Sequence, residues 1–275
     1  MTVTGMTEIK SETALPKPEW NLAPRQLLGR ELRGWVALAI VMIVLGFLTD
    51  GTFFSARNLT NLTRQVAMNG VLAVGMTFVI LIGGIDLSVG SLVALAGVVA
   101  GLFQVAAGNA GYTLGWQGQS VAFASVMLAT LTGLVCGIFN GWWITRFRIA
   151  PFIITLGMMV IARGAALIFS GGAAIAPLSE SYNWLGQEYL GMGLSVALCL
   201  APVLLLGVRA ATIARGSAWL PAGVALSIGA VAAGIFSSYR GIPVPVVLFA
   251  ALAAVGIFVL KQTRLGRYVL ALGGN

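Results

Sequence analysis

The sequence predicts an all-α polytopic membrane protein of about eight transmembrane or membrane-embedded helices. Three observations predict it. Hydrophobic residues make up 59% of the chain and charged residues only 9%, a balance far from that of soluble globular domains. Apolar runs long enough to cross a hydrocarbon layer of ~30 Å as helix recur along the sequence. The basic residues, with a net charge of +8, collect in alternate connections, as in a membrane topology. They form no cluster with interleaved aromatics, so a nucleic-acid partner is not expected.

Taken in order, the apolar runs place spans near 34–49, 66–85, 87–107, 120–145, 151–170, 193–208, 218–236 and 242–260. Residues 1–33 carry Glu8, Glu12, Glu19 and three prolines (Pro16, Pro18 and Pro24) in place of the basic and apolar regions of a signal peptide. They read as a flexible cytoplasmic tail, followed by a membrane domain over 34–260 and a cytoplasmic segment over 261–275. With the N-terminus inside, twelve of the 16 lysines and arginines face the cytoplasm. Arg57, Arg64 and Arg240 face outward and Arg163 lies within a span, a bias that selects this orientation. The span at 193–208 is short and contains Pro202.

The second and third spans are separated only by Gly83-Gly84-Ile85-Asp86-Leu87-Ser88-Val89-Gly90. Glycine supplies the dihedrals of a sharp turn, and Asp86 or Ser88 can cap the next helix. Two structures fit this break: a tight cytoplasmic hairpin, or a broken helix at membrane depth lining a cavity. Gly97 with Gly101, and Gly133 with Gly137 and Gly141, repeat at four-residue spacing, which lets helix backbones approach closely in lipid.

The chain has no histidine, and no Gly-Lys-Ser/Thr phosphate loop or Gly-x-Ser-x-Gly elbow. It is therefore not expected to be an enzyme, to hydrolyse ATP itself or to bind a metal. Cys136 and Cys199 fall in apolar runs and imply no disulfide. Asp86 and Arg163 are the ionisable groups in or beside the spans, and intramembrane charge points to function. For Asp86 the alternatives are a helix cap and a pathway residue; for Arg163 they are a clamp on facing carbonyls and a pathway residue. Asn69, Thr77, Ser91, Gln104, Asn140 and Thr155 place amides and hydroxyls on apolar faces, the groups that hold a neutral sugar. Asn140-Gly141-Trp142-Trp143 adds aromatic faces, which equally suit anchoring at the membrane interface.

The stretch from Asn69 through Gly70-Val71-Leu72-Ala73-Val74-Gly75-Met76-Thr77-Phe78-Val79-Ile80, running into Gly84-Ile85-Asp86-Leu87-Ser88-Val89-Gly90-Ser91, resembles the permease subunits of ribose/xylose-type ATP-binding-cassette sugar importers. Arg264-Leu265-Gly266-Arg267-Tyr268 followed by Ala271-Leu272-Gly273-Gly274-Asn275 resembles that family's entry into its ATPase-facing loop. Thr49-Asp50-Gly51, Asn140-Gly141-Trp142-Trp143 and Tyr239-Arg240-Gly241-Ile242-Pro243 are similar to the xylose branch of the family.

The resemblance implies a multi-pass inner-membrane subunit that translocates a monosaccharide, D-xylose or a related pentose or hexose, by alternating access. Its implied partners are a second permease copy, a cytoplasmic ATPase that uses ATP and magnesium, and a periplasmic sugar-binding protein; it binds no cofactor itself. Asn69, Asp86, Ser88, Ser91, Asn140, Trp142 and Arg163 become pathway candidates, and Arg264, Arg267, Gly273, Gly274 and Asn275 the ATPase-coupling region. Family members continue beyond the position of Asn275, so the coupling loop and further helices are expected to be missing from the given chain. Rival readings are an ion-coupled secondary transporter, with Asp86 as its acid, and a membrane-embedded transferase.

Overall fold

The structure, a computed structural model, describes residues 24–111, 115–201 and 219–273. Most of the expected tail, part of the 193–208 span, the 209–217 connection, Gly274 and Asn275 lie outside the described residues. Two compact units divide the chain at Ser55. The first contains α1 (Pro24–Leu48) and a 3-10 turn, Thr52–Phe54. Gly51, at φ +79, reverses the chain. The hydroxyl of Thr49 accepts from the Phe53 amide at 3.0 Å, closing the corner.

The second unit holds α2 (Ala56–Leu81), α3 (Val89–Asn109), α4 (Gly115–Phe147), α5 (Pro151–Ser170) and α6 (Glu180–Gln187). Then come α7 (Met192–Ala201 in its described part), α8 (Trp219–Ser237), α9 (Val244–Gln262) and α10 (Arg264–Gly273). No β-strand occurs among the described residues, only an isolated antiparallel bridge between Tyr189 and Pro243. Among the described residues, five helices (α2, α3, α4, α5 and α9) are long and apolar enough to cross a membrane. Helix α2 starts at Ala56, ten residues before the expected span. Its first turns carry Arg57, Asn58, Thr60, Asn61 and Arg64, polar residues that mask helix in an apolarity scan.

The surface is apolar where lipid would touch it: Ile138 is 62% exposed and Ile161 64%. Buried positions are small instead, including Ala100, Gly101, Ala162 and Ala166, as expected where helices associate by close approach. Helix α3 packs on α4 and α5, whereas α2 packs on α9, α10 and α8. These are two groups, and α6 bridges them by touching both α4 and α9.

Directions follow from specific contacts. Gly70 of α2 faces Phe249 of α9, and Gly256 of α9 faces Val74 and Phe78, so α2 and α9 run parallel. The bond from Asn140 to Ser88 and the bond from Gln104 to Ser125 make α3 and α4 antiparallel. Residues 82–88, 148–150 and 263 therefore share one end of the second unit. Residues 171–191 and 238–243 share the other, where the Val244 amide donates to the Glu188 carbonyl at 3.0 Å.

Candidate functional site

Helix α2 ends because Gly83 adopts φ +75. The Gly84 amide then reaches the Val79 carbonyl and the Gly83 amide the Ile80 carbonyl, each at 2.9 Å, satisfying carbonyls that a helix end leaves open. Two residues later the Asp86 carboxylate accepts from the Ser88 amide at 2.7 Å and from the Ser88 hydroxyl at 2.6 Å. It fixes the turn ahead of α3 as an Asx turn, while the N-cap residue Ser88 makes no side-chain cap bond. The Ser91 hydroxyl bonds back to the Ser88 carbonyl at 2.8 Å.

The break is held by other helices as well. Thr155 of α5 accepts from the Leu87 amide and donates to the Ile85 carbonyl, each at 3.2 Å. Asn140 of α4 donates to the Ser88 hydroxyl at 3.4 Å, while its own Oδ1 is buried without a partner. Ser88, Ser91, Asn140 and Thr155 are all buried and Asp86 is half-buried. Irregular backbone is tolerated in a membrane protein where other groups satisfy it, and these side chains do so. The break is also the joint between the two helix groups, since α2 packs on α9, α10 and α8 and α3 on α4 and α5.

The C-terminal segment meets this joint. Gly266 lets α10 turn tightly on the end of α9, since a Cβ there would overlap the carbonyls of Val259 and Leu260. Gly273 lies against the Leu81 carbonyl, closely enough that any Cβ would overlap it. Arg264 and Arg267 are carried on the same short helix. Two sequence motifs almost two hundred residues apart are thus in backbone contact.

Toward the other end, a cavity of ≈ 700 Å³ opens between the helix groups. Helices α2 and α9 form one wall, Val93 of α3 and Val126 of α4 the other, and α6 crosses the opening. Its polar lining is Asn69, Tyr182, Asn183 and Gln187. Ser179 caps α6, its hydroxyl accepting from the Tyr182 amide at 3.4 Å. The Ser179 amide donates to Gln104 Oε1 at 3.3 Å, and Gln104 donates to the Ser125 hydroxyl at 2.8 Å. This buried network fixes α6 to α3 and α4. Burial pushes the Tyr182 phenol above its usual range, and at neutral pH a phenol is a protonated hydrogen-bond donor with or without that shift.

Of the residues expected to line a pathway, Asp86, Ser88, Ser91 and Asn140 meet at the joint, and Asn69 lines the cavity. Trp142 belongs to an aromatic cluster at the end of α4. It stands edge-on to Trp143 at 5.3 Å and to Phe147 at 5.7 Å, and is 53% exposed, as an interfacial anchor would be. Arg163 is exposed on α5 and has no hydrogen-bond or ion-pair partner among the described residues. Thr77 turns back on its own helix, donating to the Ala73 carbonyl at 2.7 Å.

Of the repeated glycines, Gly101 packs, against Ile175. Among the described residues, Gly97, Gly133, Gly137 and Gly141 have nothing beyond their own helix backbone within 4 Å of a Cβ. Tyr182, Asn183 and Gln187 were not legible as site residues; the available signal was Ser179-Glu180, a cap followed by an acid at the start of a helix.

A family model described as branched-chain amino acid transport system / permease component matches residues 58–275. The xylose transport system permease protein XylH of Haemophilus influenzae is 34% identical over 254 residues, covering 87% of this chain and 64% of that protein. XylH of Escherichia coli is also 34% identical, covering 87% of this chain and 61% of that protein. The ribose import permease protein RbsC of Haemophilus influenzae is 29% identical, covering 89% of this chain and 58% of its own length. The chain thus spans about three-fifths of the length of these relatives. No solved structure matches.

Proposed function

We propose that this chain, which belongs to the family of branched-chain amino acid transport system permease components, is a membrane-spanning subunit of an ATP-binding-cassette importer of a monosaccharide, with D-xylose the first candidate. What carries the reading is the continuous similarity to xylose permeases over 87% of the chain. The arrangement of helices supports a mechanism. Two helix groups meet at one joint and leave a cavity at the far end of their seam, so a change in angle at residues 82–88 would widen or narrow that cavity. A bilayer subunit of this kind transports by having two states of different access, whose balance ATP binding and hydrolysis shift in a separate ATPase.

In this reading the subunit sits in the bacterial inner membrane, pairs with a second copy, docks a cytoplasmic ATPase and receives sugar from a periplasmic binding protein. Asp86, Ser88, Ser91 and Asn140 set the joint that the pathway turns on, and Asn69 faces the pathway itself. Trp142 anchors the adjoining end of α4, and Arg163 belongs to the outer half of α5. Helix α10, with Arg264, Arg267 and Gly273, is the element through which ATPase movement reaches Leu81 and the joint; Gly274 and Asn275 continue that coupling segment. The unpartnered glycines of α4 are available for packing against another helix.

The test is uptake of radiolabelled D-xylose and D-ribose by proteoliposomes holding the complete permease, its ATPase and its binding protein. Uptake that requires ATP and persists after the membrane potential is collapsed is expected. Uptake driven by an ion gradient without ATP, or uptake of leucine with neither pentose transported, would overturn the proposal.

A further inference from the structure

We infer that the cavity beneath α6 is a binding site for a neutral polyol, with Asn69, Tyr182, Asn183 and Gln187 as its hydrogen-bonding groups. The inference rests on the sugar-importer reading and adds the place where sugar pauses. Asn69 stands midway along α2, one of the helices able to cross a membrane, and its side-chain amide has no hydrogen-bond partner among the described residues. An amide left unpaired against lipid is costly, so a position like this one calls for a wet or ligand-filled space. The cavity supplies it. Its volume of ≈ 700 Å³ falls within the roughly 300–1,000 Å³ of small-ligand sites.

The chemistry of the lining selects the ligand class. Three carboxamides and a phenol, carried by Asn69, Asn183, Gln187 and Tyr182, offer donors and acceptors without charge. Asn183 spends one donor on the Leu178 carbonyl at 3.3 Å and keeps its Oδ1. The Tyr182 hydroxyl and the Gln187 amide have no partner among the described residues. The remaining wall is aliphatic: Leu72, Val93, Val126 and Leu248. Polyols present hydroxyls on some edges and C–H faces on others, which this mixture matches. An α-amino acid carries both an ammonium and a carboxylate, and among the described residues no charged side chain lines the cavity to meet either. The site thus favours a sugar over the amino acids in the family's description.

Three of the four groups, Tyr182, Asn183 and Gln187, lie on α6, which the Ser179–Gln104–Ser125 network ties to α3 and α4, while Asn69 lies on α2. A ligand bonded both to Asn69 and to α6 therefore links α2 to the helix that bridges the two groups.

The experiment is sugar protection of introduced cysteines in the complete, assembled permease, with Cys136 and Cys199 first replaced by serine. Asn69→Cys and Gln187→Cys are labelled with a maleimide in the presence of D-xylose, D-ribose or L-leucine, beside Gly137→Cys as a control outside the cavity. At ten times its dissociation constant a sugar should slow labelling at both cavity positions about tenfold, since reaction follows the free fraction. Leucine should have no effect, and the control should react equally throughout. Adding Tyr182→Phe should weaken protection at position 69, and Tyr182→Trp should remove it by filling the space. Equal labelling with and without sugar, in a transporter shown to import xylose, overturns the cavity assignment and leaves the importer reading standing. Protection by leucine alone, with no pentose uptake, overturns both.

Discussion

Asn140 of α4 donates its side-chain amide to the hydroxyl of Ser88 at 3.4 Å, and that same hydroxyl donates to the Asp86 carboxylate at 2.6 Å. The conformation of the joint is thus set by a chain of side chains that starts on another helix. A change in any of the three is expected to act on the joint before it acts on the fold.

Asp86→Ala removes an acceptor that serves two donors of Ser88, at a cost of about 2 kcal/mol for bonds to a half-buried carboxylate. Asp86→Asn keeps the accepting oxygen and should retain most of that stability. Thermal unfolding in detergent separates the two, and an Asp86→Ala protein that melts with the wild type would remove the bracing role. Uptake by Asp86→Asn then reports on the charge alone: normal stability with lost transport would assign the carboxylate to the pathway as well.

Thr155→Val should destabilise the joint by roughly 1–3 kcal/mol, because the Leu87 amide and the Ile85 carbonyl both lose their partner where no helix bond replaces it. Thr155→Ser keeps the hydroxyl and should restore most of the loss. Hydrogen exchange at residues 85–88 reads this locally; unchanged protection in the valine variant would show that the segment is held by other groups.

Among the glycines, Gly70 and Gly137 predict opposite outcomes. A Cβ at Gly70 would sit 2.7 Å from the Phe249 ring, whereas one at Gly137 meets nothing within 4 Å. Gly70→Ala should cost about 1–3 kcal/mol from overpacking, with relief from Phe249→Leu, and Gly137→Ala should stay within about 0.5 kcal/mol in the isolated chain. Equal melting of the two variants would contradict the parallel packing of α2 on α9.

The orientation with the N-terminus inside is tested by cysteine accessibility in a background free of Cys136 and Cys199. Helix directions put positions 147 and 263 at the joint's end of the unit and positions 183 and 239 at the other. The first pair should react only after the membrane is permeabilised, and the second pair in intact spheroplasts. Reversal of both pairs would invert the topology; one position departing from its partner would break the shared-end arrangement.

Much of this was legible in the sequence because lipid imposes a simple rule: long apolar runs become helices, and polar residues within them need a reason. Asn69, Asn140 and Thr155 stood out on that ground, and the glycines of 83–84 marked the break. Other features depend on partners that spacing does not disclose. Gly70 and Gly256 are needed because Phe249 and Val74 happen to face them, while the regular repeat of Gly133, Gly137 and Gly141 meets no other element among the described residues. Helix α6 is too short and too mixed in polarity to stand out from a loop, yet it supplies most of the cavity's hydrogen-bonding groups. The start of α2 was hidden because its first turns are polar.

In the proposed mechanism the two helix groups change their separation about residues 82–88 when ATP drives transport. Spin labels at Val93→Cys on α3 and Leu248→Cys on α9 face the cavity from opposite groups. In the assembled transporter, diluted with unlabelled protomer so that only one pair is observed, pulsed electron paramagnetic resonance measures the distance between them. Two populations are predicted, with their proportions shifting between the nucleotide-free and ATP-bound states. A single distance distribution, unchanged by nucleotide in a preparation that demonstrably imports sugar, would contradict the account.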